Sequence, residues 1–193
     1  MIRIATTADI PAILEIYGPY ILNTTYTFEY TIPTVSEFTA RFEAITEKFP
    51  WLVWEEQGKV LGYAYGSAPF ERAAYAWCGE TSVYLAPEAH RKGIGSKLCT
   101  AVEEMLWLQG YRVIYSLITS ENTPSLRFHE AIGYRPGFVC QRCGMKFGRW
   151  LDVHWLEKRR DDGSIPDAPP VPFPDLVKNN RNLMNILANL SLS

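Results

Sequence analysis

The fold is decided by the stretch VYLAPEAHRKGIGS, which runs from Val83 to Ser96. Its apolar start and Pro87 predict a strand that ends in a short loop, and Gly93 and Gly95 predict the start of a helix. The first N–H groups of a helix have no internal acceptor, and the helix dipole adds partial positive charge there. The stretch therefore predicts a phosphate-binding turn; the alternative is a strand–helix turn with incidental glycines.

Two familiar phosphate motifs are absent from this stretch. A P-loop ends in Gly-Lys and then Ser or Thr, whereas Gly95 is followed by Ser-Lys in the reverse order. A dinucleotide fingerprint needs a third glycine three residues after Gly95, and Leu98 occupies that position. Arg91 and Lys92 add positive charge before the helix. Backbone amides and these two cations are thus expected to hold a pyrophosphate.

The composition is that of an ordinary globular chain. Of its 193 residues, 47% are hydrophobic, and the net charge of −2 comes from charges mixed along the sequence. We therefore expect a sizeable core, with no nucleic-acid or membrane partner. No apolar run approaches the roughly 20 residues of a membrane span. Residues 1–4 start a strand pattern without a signal-peptide core, which predicts a cytoplasmic protein.

The 4 cysteines predict neither disulfides nor a metal site. A reducing cytosol disfavours disulfides. Cys140 and Cys143 have the spacing of half a zinc site, but a closed site needs four ligands and the sequence has no second pair. We expect these two thiols in or near a turn and no bound metal.

Hydrophobic periodicity predicts an α+β chain with a mixed sheet. The predicted elements are strand 2–5, helices 7–22 and 34–48, strands 51–55, 60–67 and 73–85, helix 93–109, strand 111–119, helix 123–131, and strands 134–142 and 146–157. From Asp161 the composition becomes Pro-rich, and helical periodicity returns after it. We therefore divide the chain into a domain (1–160), a Pro-rich linker (161–175) and a C-terminal amphipathic helix (176–193). That helix packs on its own domain or on a second subunit.

The stretch from Val83 to Ser96 resembles motif A of the GNAT superfamily of N-acetyltransferases. That motif is a strand ending in Val-x-Val or Val-x-Leu, then Arg or Gln, two residues, Gly, one residue, and Gly or Ala. His90 stands here in the Arg or Gln position, which contributes mainly backbone in the family. The segment from Asn122 to Tyr134 resembles the second cofactor motif of the superfamily.

More specifically, residues 1–158 are similar to phosphinothricin and methionine-sulfoximine N-acetyltransferases. Segments 49–53, 74–77, 80–84, 127–131 and 148–153 carry this similarity. The resemblance implies the GNAT fold, whose mostly antiparallel sheet of six to seven strands has helices on both faces. It also implies acetyl-CoA as co-substrate, direct transfer to the α-amine of a small amino-acid-like acceptor, and a homodimer.

The resemblance further implies where the cofactor lies. The pantetheine arm pairs with the exposed edge of the strand that holds Val83, and the N–H of Leu85 faces the thioester oxygen. Amides of the basic loop hold the pyrophosphate. The expected cofactor-binding residues are Val83, Tyr84, Leu85, Arg91, Lys92, Gly93, Ile94, Gly95, Ser96, Asn122 and Ser125.

Two catalytic residues are predicted from the same resemblance. Glu80 is the expected general base, acting through water or with a pKa raised by burial, because an ordinary carboxyl pKa of ~4.3 suits an ammonium poorly. Its alternative is a solvated or salt-bridged strand glutamate. His129 stands where many members have a Tyr, and is expected to protonate the CoA thiolate or to orient the substrate. Its alternative is a structural histidine.

The acceptor is expected to contact Phe28, Arg72 and Tyr75. A cation such as Arg72 suits a carboxylate or phosphinate, although a surface role for Arg72 and core packing for Tyr75 fit nearly as well. In a homodimer, Arg149 and Trp150 would border the partner's site. Two other functions stay open: acetylation of another amine (a polyamine, an aminoglycoside or a protein N-terminus), and a non-catalytic acyl-CoA-binding module.

Overall fold

The computed structural model describes residues 1–160 and 163–192 and has an α+β fold, as predicted. A capping box starts the second helix, where the Thr34 N–H donates to Glu37 Oε2 over 2.8 Å and the Glu37 N–H donates to Thr34 Oγ1 over 3.2 Å. The elements are β1 (Ile2–Ile4), α1 (Ile10–Asn23), α2 (Val35–Thr46), β2 (Trp51–Glu56), β3 (Lys59–Ser67), β4 (Cys78–Leu85), α3 (Ile94–Gln109), β5 (Val113–Thr119), α4 (Thr123–Ala131), β6 (Arg135–Lys146), β7 (Arg149–Arg159), α5 (Phe173–Asn179) and α6 (Leu183–Leu192).

The strands form one 7-stranded sheet in the order β1-β2-β3-β4-β5-β7-β6. Neighbouring strands are antiparallel except for β4 and β5, which are parallel. The β4–β5 ladder joins only Cys78–Glu80 to Val113–Tyr115. Beyond it, β3 keeps pairing with β4 as far as Leu85, and β7 keeps pairing with β5 as far as Thr119. The two central strands therefore part after Glu80 and leave a gap in the sheet.

Helices cover both faces of the sheet. On one face, Leu98, Val102 and Leu106 of α3 are completely buried. On the other face, Ile13 and Phe38, from α1 and α2, join a second buried cluster. Burying one such side chain stabilises the fold by about 1.5–3 kcal/mol. The gap between β4 and β5 is therefore held between two packed layers.

Two predicted strand limits are wrong. The strand predicted at 73–85 begins only at Cys78, and Ala73–Tyr75 forms a 3-10 turn. The reason is that β3 ends at Ser67, opposite Glu80, and therefore gives residues 73–77 no strand to pair with. The last hairpin was expected to turn at 143–145. It turns instead at Phe147 and Gly148, whose φ angles of 51° and 74° suit a two-residue hairpin loop.

The C-terminal tail folds as two helices rather than the single predicted one, with a break at Asn180. The Pro-rich segment before it is attached to the domain: the Val171 N–H donates to Gln109 O over 2.8 Å, and Gln109 Nε2 donates to Val171 O over 2.7 Å. Leu183 and Leu187 are buried in the hydrophobic cluster that contains Leu98, Val102 and Leu106 of α3, which we call the α3 cluster. The tail therefore packs on its own domain. Residues 161, 162 and 193 lie outside the described part of the chain.

Candidate active site

The gap between β4 and β5 forms a cleft near the middle of the molecule. Because the Ala86 N–H donates to Leu61 O of β3, alternation along the strand turns the N–H groups of Leu85 and Val83 towards this gap. The Tyr20 hydroxyl donates to Leu85 O over 2.8 Å. The cleft is lined by Tyr20, Tyr26, Thr81, Ser82, Val83, Tyr84, Ser116, Leu117, Ile118, Asn122, Ser125 and His129. The cleft therefore contains five of the residues predicted for the site (Val83, Tyr84, Asn122, Ser125 and His129), next to the unpaired edge of β4.

The basic loop before α3 has the backbone shape that an anion site needs. Arg91 and Gly93 have φ angles of 61° and 76°, so the chain turns sharply and α3 starts at Ile94. Arg91, Lys92 and Gly93 are exposed. A Cβ added at Gly93 would meet open space, and one at Gly95 would lie 3.2 Å from Leu85 Cδ1. The open space beside Gly93 therefore leaves the N-terminal end of α3 accessible to a phosphate, whereas Gly95 is needed for close packing on Leu85.

Glu80 occupies the last paired position before β4 leaves β5. Its register neighbours are Ser67 on β3 and Tyr115 on β5. Burial raises the pKa of Glu80 to about 7. Within residues 1–160 and 163–192, no hydrogen bond or ion pair joins its carboxylate to another side chain. Such a carboxyl can accept a proton near neutral pH, which an ordinary surface glutamate does poorly.

His129 lies inside the fold, with 2% of its surface exposed. Its Nδ1–H donates to Ser125 O over 2.9 Å, which leaves Nε2 to accept from the Ser116 hydroxyl over 3.0 Å. Burial lowers the pKa of His129 to about 4. The ring is therefore neutral at pH 7 and fixes the orientation of the Ser116 hydroxyl in the cleft.

Asn122 begins α4, and its side-chain oxygen accepts the Ser125 N–H over 3.2 Å. With the oxygen engaged in this cap, the amide NH₂ group remains available as a donor. Asn122 and Ser125 therefore stand in the cleft beside the free edge of β4.

The three predicted acceptor residues lie outside this cleft. Arg72 and Tyr75 are exposed and line a groove against the Pro-rich segment at Pro170. The ring of Tyr75 packs on Phe70 with centroids 4.5 Å apart. Phe28 belongs to the loop between α1 and α2, and its ring packs on β6, where it fills the space that a Cβ of Gly144 would occupy. The structure thus places Val83, Tyr84, Asn122, Ser125 and His129 around one cleft, with Glu80 next to Thr81 of its lining, and leaves the three acceptor residues outside it.

Several cleft residues were missed by sequence reasoning. Ser116 had a signal, because it is a hydroxyl within the apolar run of β5. Tyr20 had none, since only the tertiary fold carries α1 to the cleft. Phe70 and Tyr115, with ring centroids 5.9 Å apart, likewise meet only through the fold. Most site residues that the motifs did not indicate are therefore brought to the cleft by packing between distant parts of the chain.

Within the part of the chain that the structure describes, no group of three or more His, Cys, Asp or Glu side chains is placed to hold a metal ion. None of the described helices is long and apolar enough to cross a membrane.

Replacing His129 by Phe is expected to lower the free energy of unfolding by roughly 1–3 kcal/mol, because the buried Ser116 hydroxyl loses its acceptor. The loss also depends on pH. The folded pKa of His129, about 4, lies below the ordinary value of about 6.5, so the unfolded chain takes up the proton first and wild-type stability falls between pH 6.5 and 4. Urea unfolding at several pH values measures this, with His154→Phe as the control. A His129→Phe profile parallel to wild type would contradict it.

The comparisons with known proteins agree with this geometry. Residues 2–155 match the family model described as acetyltransferase (GNAT) domain. Phosphinothricin N-acetyltransferase of Streptomyces viridochromogenes is 36% identical over 171 residues, which cover 89% of this chain and 91% of that protein. The L-methionine sulfoximine/L-methionine sulfone acetyltransferase of Salmonella typhimurium is 33% identical over 168 residues, covering 86% of this chain and 98% of that protein.

A solved structure is similar as well. The crystal structure of a GNAT superfamily phosphinothricin acetyltransferase from Sinorhizobium meliloti in complex with AcCoA has a TM-score of 0.81 and 35% sequence identity. The match covers 91% of this chain and 96% of that chain.

Proposed function

The chain belongs to the GNAT acetyltransferase family and is an N-acetyltransferase, and we propose that its acceptor is the α-amine of a small amino-acid-like compound of the phosphinothricin or methionine sulfoximine type. The single observation that carries the chemistry is Glu80, a half-buried carboxyl at the point where β4 leaves β5, whose pKa desolvation raises to about 7. The names of two relatives support the acceptor class.

Acetyl-CoA is the co-substrate, and the chain has a place for each of its parts. The free edge formed by Val83, Tyr84 and Leu85 would pair with the pantetheine arm, and the Leu85 N–H would stabilise the oxygen of the tetrahedral intermediate. Asn122 and Ser125 would contact the pantetheine from α4. The amides and side chains that would hold the pyrophosphate are those of Arg91, Lys92, Gly93, Ile94, Gly95 and Ser96.

We propose direct transfer without an acetylated enzyme. The amine nitrogen attacks the thioester carbon, the C–S bond breaks, and Glu80 receives the amine's proton directly or through water. CoA leaves as a thiolate, and because a thiol pKa is about 8.5, water can protonate it. His129, which sequence reasoning assigned to that protonation, has both ring nitrogens engaged. Its proposed role is to position Ser116.

The acceptor side of the reaction is assigned to Phe28, Arg72 and Tyr75. A series of ring contacts from Tyr75 through Phe70 to Tyr115, the register neighbour of Glu80, links the groove lined by Arg72 and Tyr75 to the strand position of the base. The Arg72 guanidinium in this groove would attract the anionic end of an amino acid while the amine enters towards Glu80.

Replacing Arg72 by Ala is expected to raise the KM for the acceptor about 10- to 100-fold, since a charge-assisted hydrogen bond contributes about 1.5–3 kcal/mol. The KM for acetyl-CoA should stay unchanged. Steady-state kinetics measures both values, with Arg181→Ala, an exposed arginine in the tail, as the control. An unchanged acceptor KM would remove Arg72 from the binding site.

The acceptor class is tested by thiol release from acetyl-CoA with a panel of amines. Phosphinothricin and methionine sulfoximine should be acetylated far faster than spermidine, an aminoglycoside or a peptide with a free N-terminus. Preference for one of those amines would replace the proposed acceptor. Tight acetyl-CoA binding without transfer to any amine would indicate a binding module.

We also propose a homodimer in the cytoplasm. The exposed rings of Phe138 on β6, Phe147 in the following turn and Trp150 on β7 support a partner surface there, beside Arg149. Four free thiols fit a reducing compartment. A molar mass of twice 22.0 kDa, measured by light scattering, would support the dimer, and a mass equal to one chain would exclude it.

A further inference from the structure

A wide bulge interrupts β6 between Cys140 and Gly144. Cys140 pairs with Val153 and Gly144 pairs with Leu151, so three residues of β6 face a single residue of β7. In a regular strand, residues three apart are separated by about 10 Å and point to opposite faces. The bulge breaks this rule, because the chain folds back within it.

The bulge brings two thiols together. Arg142 in its middle has a φ of 50°, and its N–H donates to Asp152 Oδ1 over 2.8 Å, which anchors the loop to β7. The Cys143 thiol contacts Leu151 O at 4.0 Å, and its surroundings include the Cys140 thiol and the backbone of Val153, the register partner of Cys140. Cys143 is exposed and Cys140 is half-buried. One thiol is therefore open to an oxidant while the other stands behind it.

From this arrangement we propose that Cys140 and Cys143 are a redox modification site that closes to an intrachain disulfide under hydroperoxide stress. The Cys143 sulfur attacks the peroxide O–O bond and becomes a sulfenic acid, with water or an alcohol as the leaving product. The Cys140 thiol then displaces water from that sulfur. In sum, two thiols and one peroxide give one disulfide and two oxygen-containing products, so the sulfurs are oxidised and the peroxide is reduced.

The other two cysteines lack this arrangement. Cys99 is completely buried against Glu103, and Cys78 lies near Arg159. Partial desolvation, together with the neighbouring Cys140 thiol, raises the pKa of Cys143. Cys143 is therefore mostly protonated at neutral pH and reacts only when an oxidant accumulates.

The bulge also supports a loop that contributes Tyr26 to the lining of the cleft. We call residues 24–34, between α1 and α2, the strap. Lys146 Nζ, 1% exposed, donates to Thr27 O over 2.7 Å, and the Tyr30 hydroxyl donates to Met145 O. Phe28 packs directly on Gly144, the residue after Cys143. On its other side the strap carries Tyr26 into the cleft.

A disulfide would change the bulge at the point where the strap rests. Shortening the link between Cys140 and Cys143 would move Gly144, and the Phe28 ring, which rests directly on Gly144, would move with it. The strap would then hold the acceptor less well, while the loop before α3 stays untouched. This consequence rests on the proposed function, whereas disulfide formation does not.

The experiment uses the full chain treated with hydrogen peroxide. Trypsin cuts after Arg142, between the two cysteines, so the reduced protein gives separate peptides and the disulfide keeps them joined. We expect an intact-mass loss of about 2 Da, from the two hydrogens removed, joined peptides, and full reversal by dithiothreitol. Cys143→Ser and Cys140→Ser should abolish the joined peptides, and Cys78→Ser should retain them.

Three results would overturn the proposal. They are overoxidation of Cys143 without joined peptides, a cross-linked dimer on a non-reducing gel, and the same mass loss in Cys143→Ser.

The second readout is kinetic: oxidation should raise the acceptor KM at least threefold and leave the acetyl-CoA KM unchanged. A disulfide with an unchanged acceptor KM would refute the link to the strap. If no amine is acetylated, the peptide result still decides the modification.

Discussion

Replacing Glu80 by Gln is expected to lower kcat by about 10²- to 10⁴-fold while leaving the dissociation constant for acetyl-CoA unchanged. Gln keeps the shape of the side chain but cannot accept the proton that the attacking amine must lose. Glu80 stands before the free edge of β4 rather than within it, so the cofactor contacts should survive the change. Initial rates and calorimetric titration with CoA measure the two quantities.

The pH profile gives this prediction a specific signature. The pKa of Glu80, raised by burial to about 7, means that the carboxyl is protonated and inactive below that pH. Wild-type kcat/KM should therefore fall about tenfold per pH unit below 7, and the residual activity of Glu80→Gln should lack this limb. Glu80→Asp, which keeps the carboxyl on a shorter side chain, should retain the limb at a lower rate.

The stability of the folded protein should depend on pH in the opposite direction to its activity. The folded pKa of Glu80 is above its unfolded value, so the native state loses stability as pH rises from about 4.5 through 7. At pH 8, Glu80→Gln should therefore unfold at a higher temperature than wild type. A variant that is as active as wild type, or less stable at pH 8, would contradict the assignment of Glu80 as a buried base.

Removing residues 161–193 is expected to abolish stable folding. Phe173, Leu183 and Leu187 are 4%, 1% and 1% exposed, and all three pack in the α3 cluster. At about 1.5–3 kcal/mol for each buried side chain, they contribute about 5–9 kcal/mol, which is comparable to the total stability of a typical domain. The truncated chain should aggregate or unfold at low urea concentration.

A milder variant measures the same packing in a folded protein. Leu187→Ala should lower the free energy of unfolding by about 2–5 kcal/mol. Met184→Ala, on the exposed side of α6 with 53% of its surface accessible, should change it little. Equal urea midpoints for the truncated and full chains would show that the tail is a separate appendage, as its Pro-rich start implied.

The sequence predicted the central part of the site because its residues are close together along the chain. The segment from Val83 to Ser96, a strand, a basic loop and two glycines, is proposed to act through its backbone. Local sequence patterns predict backbone conformation well. Glu80 lies only three residues before Val83. The α+β class followed from the same periodicity, which survives small errors in the strand limits.

What the sequence could not predict depends on contacts between distant residues. Burial of His129 against Ser116 is set by the pairing of α4 with β5, and a lone histidine gives no sign of it. The strand limit at Cys78 depends on where β3 ends. The tail was read from its prolines as a linker, although Gln109 holds it to the domain through backbone atoms that no motif marks.

The measurement that tests the central claim most directly is product analysis with acetyl-CoA labelled with ¹³C in the acetyl group. The purified chain is incubated with phosphinothricin at pH 8, and NMR and mass spectrometry locate the label. We predict one free CoA thiol for each labelled acetyl group, with all of the label on the acceptor's α-nitrogen and none on the protein. Thiol release without a labelled amide, or label retained on a protein side chain, would contradict direct N-acetyl transfer.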